Sequence, residues 1–417
     1  MKVLLGCNYF SPVGGAEILF YWQYLLLKEK GLDVNVFATN RKPYFNEEDL
    51  LTEYFPQSID YSTLKGFDKI KYALRRFYNI EAEKKLGALL KKVKPDIVHF
   101  GNIRSNLTPS VLNACYKNNI PVIVTLFDSS CVCPNGVLKL NGKKYCKDEL
   151  CVSGNYIHCV LNKCRGNSYL NSLNAACELG CKNIHNLYDK VSIFICSSNA
   201  LAELAIKSGI PKAKIAIIPT SVPDKYLKLQ PNYENKKYYL YVGRLSTEKG
   251  IHYLLEAFSK LPQDIKLRVI GTGPDENYFK LLAKDLNVNN VEFLGFKSGD
   301  ELEEEYRNCI ATILPCDWFE NFPTTIIESF AFGKPVIGSN IGGIPELITN
   351  NETGILVEAG NVNEIANAVK KLYYDEPFCR ELSVNCRKKS ENYSNENLYN
   401  ELMKIYIKVL KIKDGQE

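Results

Sequence analysis

The sequence has no apolar run long enough to cross a bilayer, which excludes a spanning segment and leaves only contact from the side. It also lacks a strong charge of either sign. Its 52 lysines and arginines against 47 aspartates and glutamates leave a net +5, too weak for a nucleic-acid binder and compatible with an acidic substrate or an anionic membrane surface. Disorder is excluded by a composition that is 46% hydrophobic and 24% charged. The apolar stretch Val3-Leu4-Leu5 before Gly6-Cys7 is far shorter than a secretory segment and reads as a first strand. Without an export signal the expected location is the cytoplasm, and there the 15 cysteines are expected to be mostly reduced. Histidine is scarce: His99, His158, His185 and His252 are the whole supply.

At 417 residues the chain is too long for one core. Short runs rich in β-branched residues occur at Val3–Leu5, Val34–Ala38, Asp96–Phe100, Val122–Leu126, Ser192–Ser197 and Ile215–Pro219, with helical patterns such as Ile18–Lys30 and Pro109–Asn118 between them. A second series runs through Tyr238–Val242, Leu267–Ile270, Val291–Leu294, Ala311–Leu314, Pro335–Gly338 and Gly354–Val357. This alternation predicts an α/β protein of two Rossmann-like β/α/β domains, each with a parallel sheet, facing each other across a cleft. The polar stretch Ser221–Lys237 reads as the linker, so the expected domains are 1–221 and 222–394. A cysteine-dense insertion occupies 131–181 of the first, and a helix over 395–417 is expected to return toward it. Phe67–Lys94 reads as a basic amphipathic helix, either a solvated face over a buried stripe or a site of peripheral membrane contact.

Three places carry chemistry. In Cys316-Asp317-Trp318-Phe319-Glu320-Asn321-Phe322-Pro323-Thr324-Thr325-Ile326-Ile327-Glu328, two glutamates bracket a Pro-Thr-Thr that can open a helix, so carboxylates and phosphate-seeking amides would share a pocket. In Gly243-Arg244-Leu245-Ser246-Thr247-Glu248-Lys249-Gly250, an arginine and a lysine flank a strand-to-helix loop and can neutralise a diphosphate. Near the start, Gly14-Gly15 lies between a strand and a helix, where backbone can approach a ligand or simply turn.

With Gly271-Thr272-Gly273-Pro274 and Gly342-Gly343-Ile344-Pro345-Glu346 added, the pattern resembles the large retaining glycosyltransferase family 4, which has the GT-B fold. The resemblance covers nearly the whole chain, most specifically in the second half. It implies a donor that is a UDP- or GDP-linked sugar, with Arg244 and Lys249 on the diphosphate, Glu328 on the ribose and Glu320 on the transferred sugar. Amides of Phe322, Pro323-flanked Thr324 and Thr325 would complete the phosphate site, Gly14, Gly15 and Gly271 would approach the donor, and Phe296 would lie near the base. No metal is required for transfer. The acceptor would be a glycan or lipid-linked glycan of surface polysaccharide or glycolipid synthesis, met at the inner face of the membrane, with no nucleic-acid partner.

One departure from the family stands out. Where the family usually has histidine after the strand at Val122–Leu126, this chain has Phe127, followed by Asp128. Phenylalanine donates no hydrogen bond. His99, at the end of a neighbouring strand, is either a compensating catalytic group or a structural residue, and Asp128 either positions the acceptor or makes an ordinary loop contact. Similar cysteine-bearing insertions mark a subset of the family. Here Cys133, Cys146, Cys151, Cys159 and Cys164 are candidate ligands of a structural zinc, with disulfides or packed free thiols as the other readings. A non-catalytic sugar-nucleotide-binding scaffold is the alternative to an enzyme.

Overall fold

The structure is a computed structural model that describes residues 1–417 except 13, 47–48, 62–71, 73, 105, 142–143, 185–186, 234–237, 414 and 416–417. The chain divides into two compact units: Met1–Gly142, Cys146–Ile218 and Tyr399–Glu417 form the first, and Lys143–Tyr145 with Pro219–Leu398 the second.

The first unit is built on strands β1 (Lys2–Gly6), β2 (Asp33–Phe37), β3 (Ile97–Gly101) and β4 (Val122–Leu126). After two short strands of the insertion, β5 (Lys139–Leu140) and β6 (Lys144–Tyr145), the sheet continues with β7 (Ile193–Cys196) and β8 (Ile215–Ile217). The order β2-β1-β3-β4-β7-β8 is parallel throughout. Val3, Leu4 and Leu5 of β1 are all fully buried, as are Ile97, Val98 and Phe100 of β3. Apolar residues on both faces are what a sheet covered by helices on each side requires.

The second unit holds β9 (Tyr238–Val242), β10 (Lys266–Ile270), β11 (Val291–Gly295), β12 (Thr312–Leu314), β13 (Val336–Ser339) and β14 (Gly354–Val357), in the parallel order β11-β10-β9-β12-β13-β14. Its core gathers Tyr239, Tyr241, Leu254, Phe258, Val269, Ile313 and Val369. The chain leaves β9 first toward β10 and later returns on its other side to β12. The carboxyl ends of β9 and β12 therefore form a topological switch point, where open α/β sheets hold ligands. All twelve strands expected from the sequence are present, within a residue or two of their expected ends.

The basic segment is not one helix where it is described. Residues 67–71 and 73 lie outside the described set; beyond them come a 3-10 turn at Leu74–Arg76 and a separate helix at Ile80–Val93. Asn79 makes the break by accepting the Ala82 amide at 3.1 Å, the side-chain cap that starts the second helix. Leu74, expected in the buried stripe, is 76% exposed.

His99 does not reach a ligand-facing edge as a free side chain. It is fully buried between β1 and β4 neighbours, with Nε2 2.7 Å from Thr125 Oγ1, and Nδ1 3.0 Å from Gln23 Nε2 and 2.8 Å from Tyr406 Oη. The Gln23 amide can only donate, so Nδ1 accepts and Nε2 carries the proton that Thr125 receives. Tyr406 belongs to the C-terminal helix Asn395–Lys413, most of which is part of the first unit. Burial pushes the imidazole pKa down to about 3, so it stays neutral. A depressed histidine binds fewer protons folded than unfolded; its stabilisation is complete above pH 6.5 and is lost as pH falls toward the folded value. The difference in urea stability between the wild type and His99→Gln is therefore expected to shrink steadily on acidification from pH 6.5; a difference independent of pH would show that His99 is not a buried neutral ring.

Candidate active site

The switch point of the second sheet brings together two loops distant in sequence. After β9 the chain makes a short turn, Thr247–Lys249, and enters the helix Ile251–Ser259 through Gly250. Gly250 has φ +74°, and a Cβ there would lie 1.8 Å from the Pro315 carbonyl oxygen. Only glycine allows this contact, which sets the turn after β9 directly against the loop after β12. The same loop is held from the other side. Gly342, at φ +59°, packs where a Cβ would lie 2.2 Å from the Glu320 carbonyl, and the Gly343 amide donates to that carbonyl at 2.7 Å.

The result is an ion pair between Lys249 Nζ and Glu320 Oε1. The Trp318 indole N–H donates to the same oxygen at 2.8 Å, the Cys316 thiol approaches it at 3.8 Å, and the Lys249 ammonium lies 4.8 Å from the Trp318 ring centre. Only 20% of the Lys249 side chain and 12% of the Glu320 side chain are exposed. Burial alone would lower the lysine pKa, but the Glu320 carboxylate outweighs it and holds the ammonium above its ordinary value. Lys249 is thus a fixed positive charge in a partly dry pocket.

Beside it, Arg244 is 61% exposed and donates to Glu248 Oε1 at 2.7 Å, which also accepts from Ser246 Oγ at 2.8 Å. The Glu248 pKa ends below its ordinary value: burial raises it, and the Ser246 and Arg244 contacts more than offset that. An exposed guanidinium tethered only at one oxygen can swing to another anion at little cost. The Thr247 amide donates to Asp275 Oδ2 at 2.7 Å, bracing the turn against the loop after β10, where Gly271 donates to the Gly295 carbonyl at 2.8 Å.

The helix Thr324–Ala331 begins at Pro323, whose side chain cannot cap it, so its first amides have no side-chain partner of that kind. They present the positive end of a helix dipole. The Phe322 ring turns into the core against Tyr393, 5.9 Å away, leaving its backbone as the part that can meet a ligand. Glu328 lies one turn into the helix and accepts from Tyr306 Oη at 3.0 Å. Burial raises its pKa, opposed by the Tyr306 and Thr324 hydroxyls. Phe296, next after β11, is 71% exposed, an aromatic face open to solvent.

In the first unit, Gly14 precedes the helix Gly15–Glu29 with extended backbone, and the Ile18 amide bonds to its carbonyl at 3.1 Å. Asp128 is exposed and committed to local structure: Oδ1 accepts the Ser130 amide at 2.8 Å and Oδ2 the Asn102 side chain at 3.1 Å. Phe127 packs edge-on to Phe20 at 6.3 Å, so the place of the usual histidine is filled by apolar contact. His99 lies in the buried network described above, a position that suits the structural one of the two roles the sequence left open. The sequence reading missed Glu17, whose carboxyl pKa is raised by burial and by nearby Asp128. It also missed Trp318, whose position two residues before Glu320 was the available signal.

The five candidate zinc ligands Cys133, Cys146, Cys151, Cys159 and Cys164 do converge, lining a cavity of about 10 Å³ with Leu138, Leu140, Leu150 and His158. They remain thiols, and all 15 cysteines are free. Cys159 donates to Cys164, drawing the Cys164 thiol down to about 7 and keeping Cys159 protonated. Among the described residues no three His, Cys, Asp or Glu side chains are grouped so as to hold an ion, so the sulfurs pack together without forming the expected ligand set. No helix among the described residues is long and apolar enough to cross a membrane. His185 lies outside the described residues.

Comparison with known proteins agrees with the second unit. Residues 224–391 match the family model of glycosyl transferases group 1. An uncharacterized glycosyltransferase of Methanocaldococcus jannaschii is 30% identical over 237 residues, 52% of this chain and 60% of that protein. The capsular polysaccharide biosynthesis glycosyltransferase CapM of Staphylococcus aureus is 30% identical over 214 residues, 50% of this chain and 55% of that protein. The chain thus spans between half and two thirds of the length of these relatives. The crystal structure of Anabaena HepE in complex with UDP superposes with a TM-score of 0.65 at 17% identity, covering 97% of this chain and 99% of that one, a likeness of fold.

The raised pKa of Glu328 has a measurable sign. A carboxyl that binds its proton more tightly when folded contributes stability at low pH that is lost as pH rises through the raised value. Glu328→Gln is therefore expected to melt higher than wild type at pH 7, with the gain vanishing below pH 4.5, where both carry a neutral side chain. A variant less stable than wild type at both ends would contradict the assignment. The chain has two Rossmann-like domains of the kind found in GT-B glycosyltransferases, and residues 224–391 of the second are similar to the glycosyl transferases group 1 model.

Proposed function

We propose that the chain is a retaining, nucleotide-sugar-dependent glycosyltransferase of family 4. It would move a sugar from a UDP- or GDP-linked donor to a glycan or lipid-linked acceptor in surface polysaccharide or glycolipid synthesis. The observation that carries the proposal is the Lys249–Glu320 pair at the β9/β12 switch point, one loop away from the uncapped start of the helix Thr324–Ala331. The two capsular and UDP-bound relatives support the substrate class by their own descriptions.

In this reading the donor diphosphate takes the place that Glu248 now holds on Arg244 and shares Lys249 with Glu320. The amides of Thr324 and Thr325 donate to its oxygens. Glu328, flanked by Tyr306, accepts from the ribose hydroxyls, and exposed Phe296 offers its face to the base. Glu320 accepts from hydroxyls of the sugar. Breaking the anomeric bond puts negative charge on the diphosphate and positive charge on the sugar ring. Fixed cations and a helix dipole on the leaving side are worth more in that state than in the ground state. A phosphate oxygen of the leaving group takes the acceptor proton, so no metal and no second catalytic carboxylate is needed. Asp128 and Glu17, on the first unit, are proposed to orient the acceptor hydroxyl.

A non-catalytic sugar-nucleotide-binding scaffold is the second reading, favoured by one observation: Phe127 stands where the family usually has histidine, and His99 on the neighbouring strand is buried. Donor hydrolysis by the purified chain, screened over a panel of nucleotide sugars, separates the two. The transferase reading expects slow hydrolysis of one donor. It also expects Arg244→Ala to lower kcat/KM by about tenfold to a hundredfold, as for loss of a charged hydrogen bond, and Glu320→Ala at least as much. Full turnover in either variant would sink the assigned donor site.

A further inference from the structure

Four segments of the first unit gather three arginines near one carboxylate, which two of them contact. Arg76, at the end of the turn Leu74–Arg76, donates to Glu178 Oε2 at 3.1 Å, and Arg104, in the loop after β3, places Nε 3.6 Å from Glu178 Oε1. Arg104 and Arg165 share the Pro134 carbonyl, at 2.7 and 3.5 Å. Glu178, on the helix Tyr169–Ile184, has only 5% of its side chain exposed, while 22% of Arg76 and 17% of Arg104 reach solvent. Arg76 and Arg104 therefore share one carboxylate and Arg165 pairs with none among the described residues, so these four side chains carry a surplus of two positive charges. Polar capacity is left over as well: Arg76 Nε and the Tyr61 hydroxyl are buried with no hydrogen-bond partner among those residues, and the Arg76 guanidinium sits 4.9 Å from the Tyr61 ring centre.

Burying surplus like charge is costly unless an anion completes the set. We propose that Arg76, Arg104, Arg165 and Tyr61 form a seat for a phosphate or diphosphate ester, and that the ester belongs to the acceptor. Guanidiniums suit this ligand because each offers two parallel N–H donors to two phosphate oxygens. Arg104 and Pro134 follow the carboxyl ends of β3 and β4, the edge of the first sheet where a ligand is expected. Crowding leaves an electrostatic mark: burial, then Arg104, draws the Arg165 pKa down despite Glu178. Assignment of the ester to the acceptor rests on the transferase reading; the anion seat itself does not.

The test is a calorimetric titration of the intact chain with inorganic pyrophosphate. Arg244→Ala/Lys249→Ala removes both cationic side chains of the second-unit phosphate site, and this double variant is expected to keep one pyrophosphate site. Adding Arg165→Gln is expected to weaken that site by about tenfold or more. Arg165 is the residue to change because it makes no direct bond to Glu178 in the structure, so its loss leaves the Arg76 and Arg104 contacts in place. Arg165→Lys, which keeps the charge and loses the fork, serves if the glutamine variant does not fold, and should bind several-fold more weakly. No pyrophosphate binding in the double variant, or unchanged affinity after either Arg165 substitution, would overturn the seat. In the double variant, displacement by geranyl diphosphate assigns a lipid-borne ester and displacement by glucose 1-phosphate a soluble one; displacement by neither overturns the ester. Because the titration contains no nucleotide sugar, absent donor turnover would count against the transferase reading and leave this result standing.

Discussion

The ion pair between Lys249 and Glu320 is the constraint around which the second unit's site is arranged. A lysine and a glutamate with so little exposure cannot be separated cheaply, because either charge alone would be left half-buried without a partner. The fold satisfies them by forcing two loops into contact through Gly250 against Pro315, and by fixing the Glu320 backbone with Gly342 and Gly343. Those contacts exist because β9 and β12 are adjacent at the point where the strand order reverses. The sheet topology, the glycines and the charge pair are one arrangement seen at three scales.

That arrangement also explains why the pocket tolerates features that cost stability. Glu328 is held where its ionised form is disfavoured, and the first amides of the Thr324–Ala331 helix lack a side-chain cap. Both cost stability, and under the proposed function both would favour a nucleoside diphosphate. Arg244, by contrast, stays mostly exposed and loosely held by Glu248, ready to change partners.

Much of this was legible in the sequence, and the reasons are local. Short β-branched runs such as Val122–Leu126 and Tyr238–Val242 announce buried parallel strands, and Glu320, Glu328, Arg244 and Lys249 sit in compact motifs. What the sequence hid depends on distance along the chain. His99 owes its burial partly to Tyr406, 307 residues away, and no local pattern distinguishes a strand-end ligand from a residue capped by a returning helix. The arginine cluster draws on residues 76, 104 and 165 and a carboxylate at 178, from segments with nothing in common as sequence. The cysteines were open to three readings, a ligand set, disulfides or packed thiols, and the fold gathers five of them round one small cavity with no metal-holding group among the described residues. The basic stretch before Val93 failed as a single helix because Asn79 starts a new one, a signal that a search for charge and amphipathicity passes over.

The central claim is that the β9/β12 switch point binds a nucleoside diphosphate through Lys249. Titration of the intact chain with UDP and with GDP, repeated on Lys249→Met, tests it most directly. The account predicts saturable binding of at least one nucleotide by the wild type and an affinity weaker by about tenfold to a hundredfold in the variant, the worth of one charged hydrogen bond. Binding of equal strength in wild type and variant, or of neither nucleotide by the wild type, would contradict it.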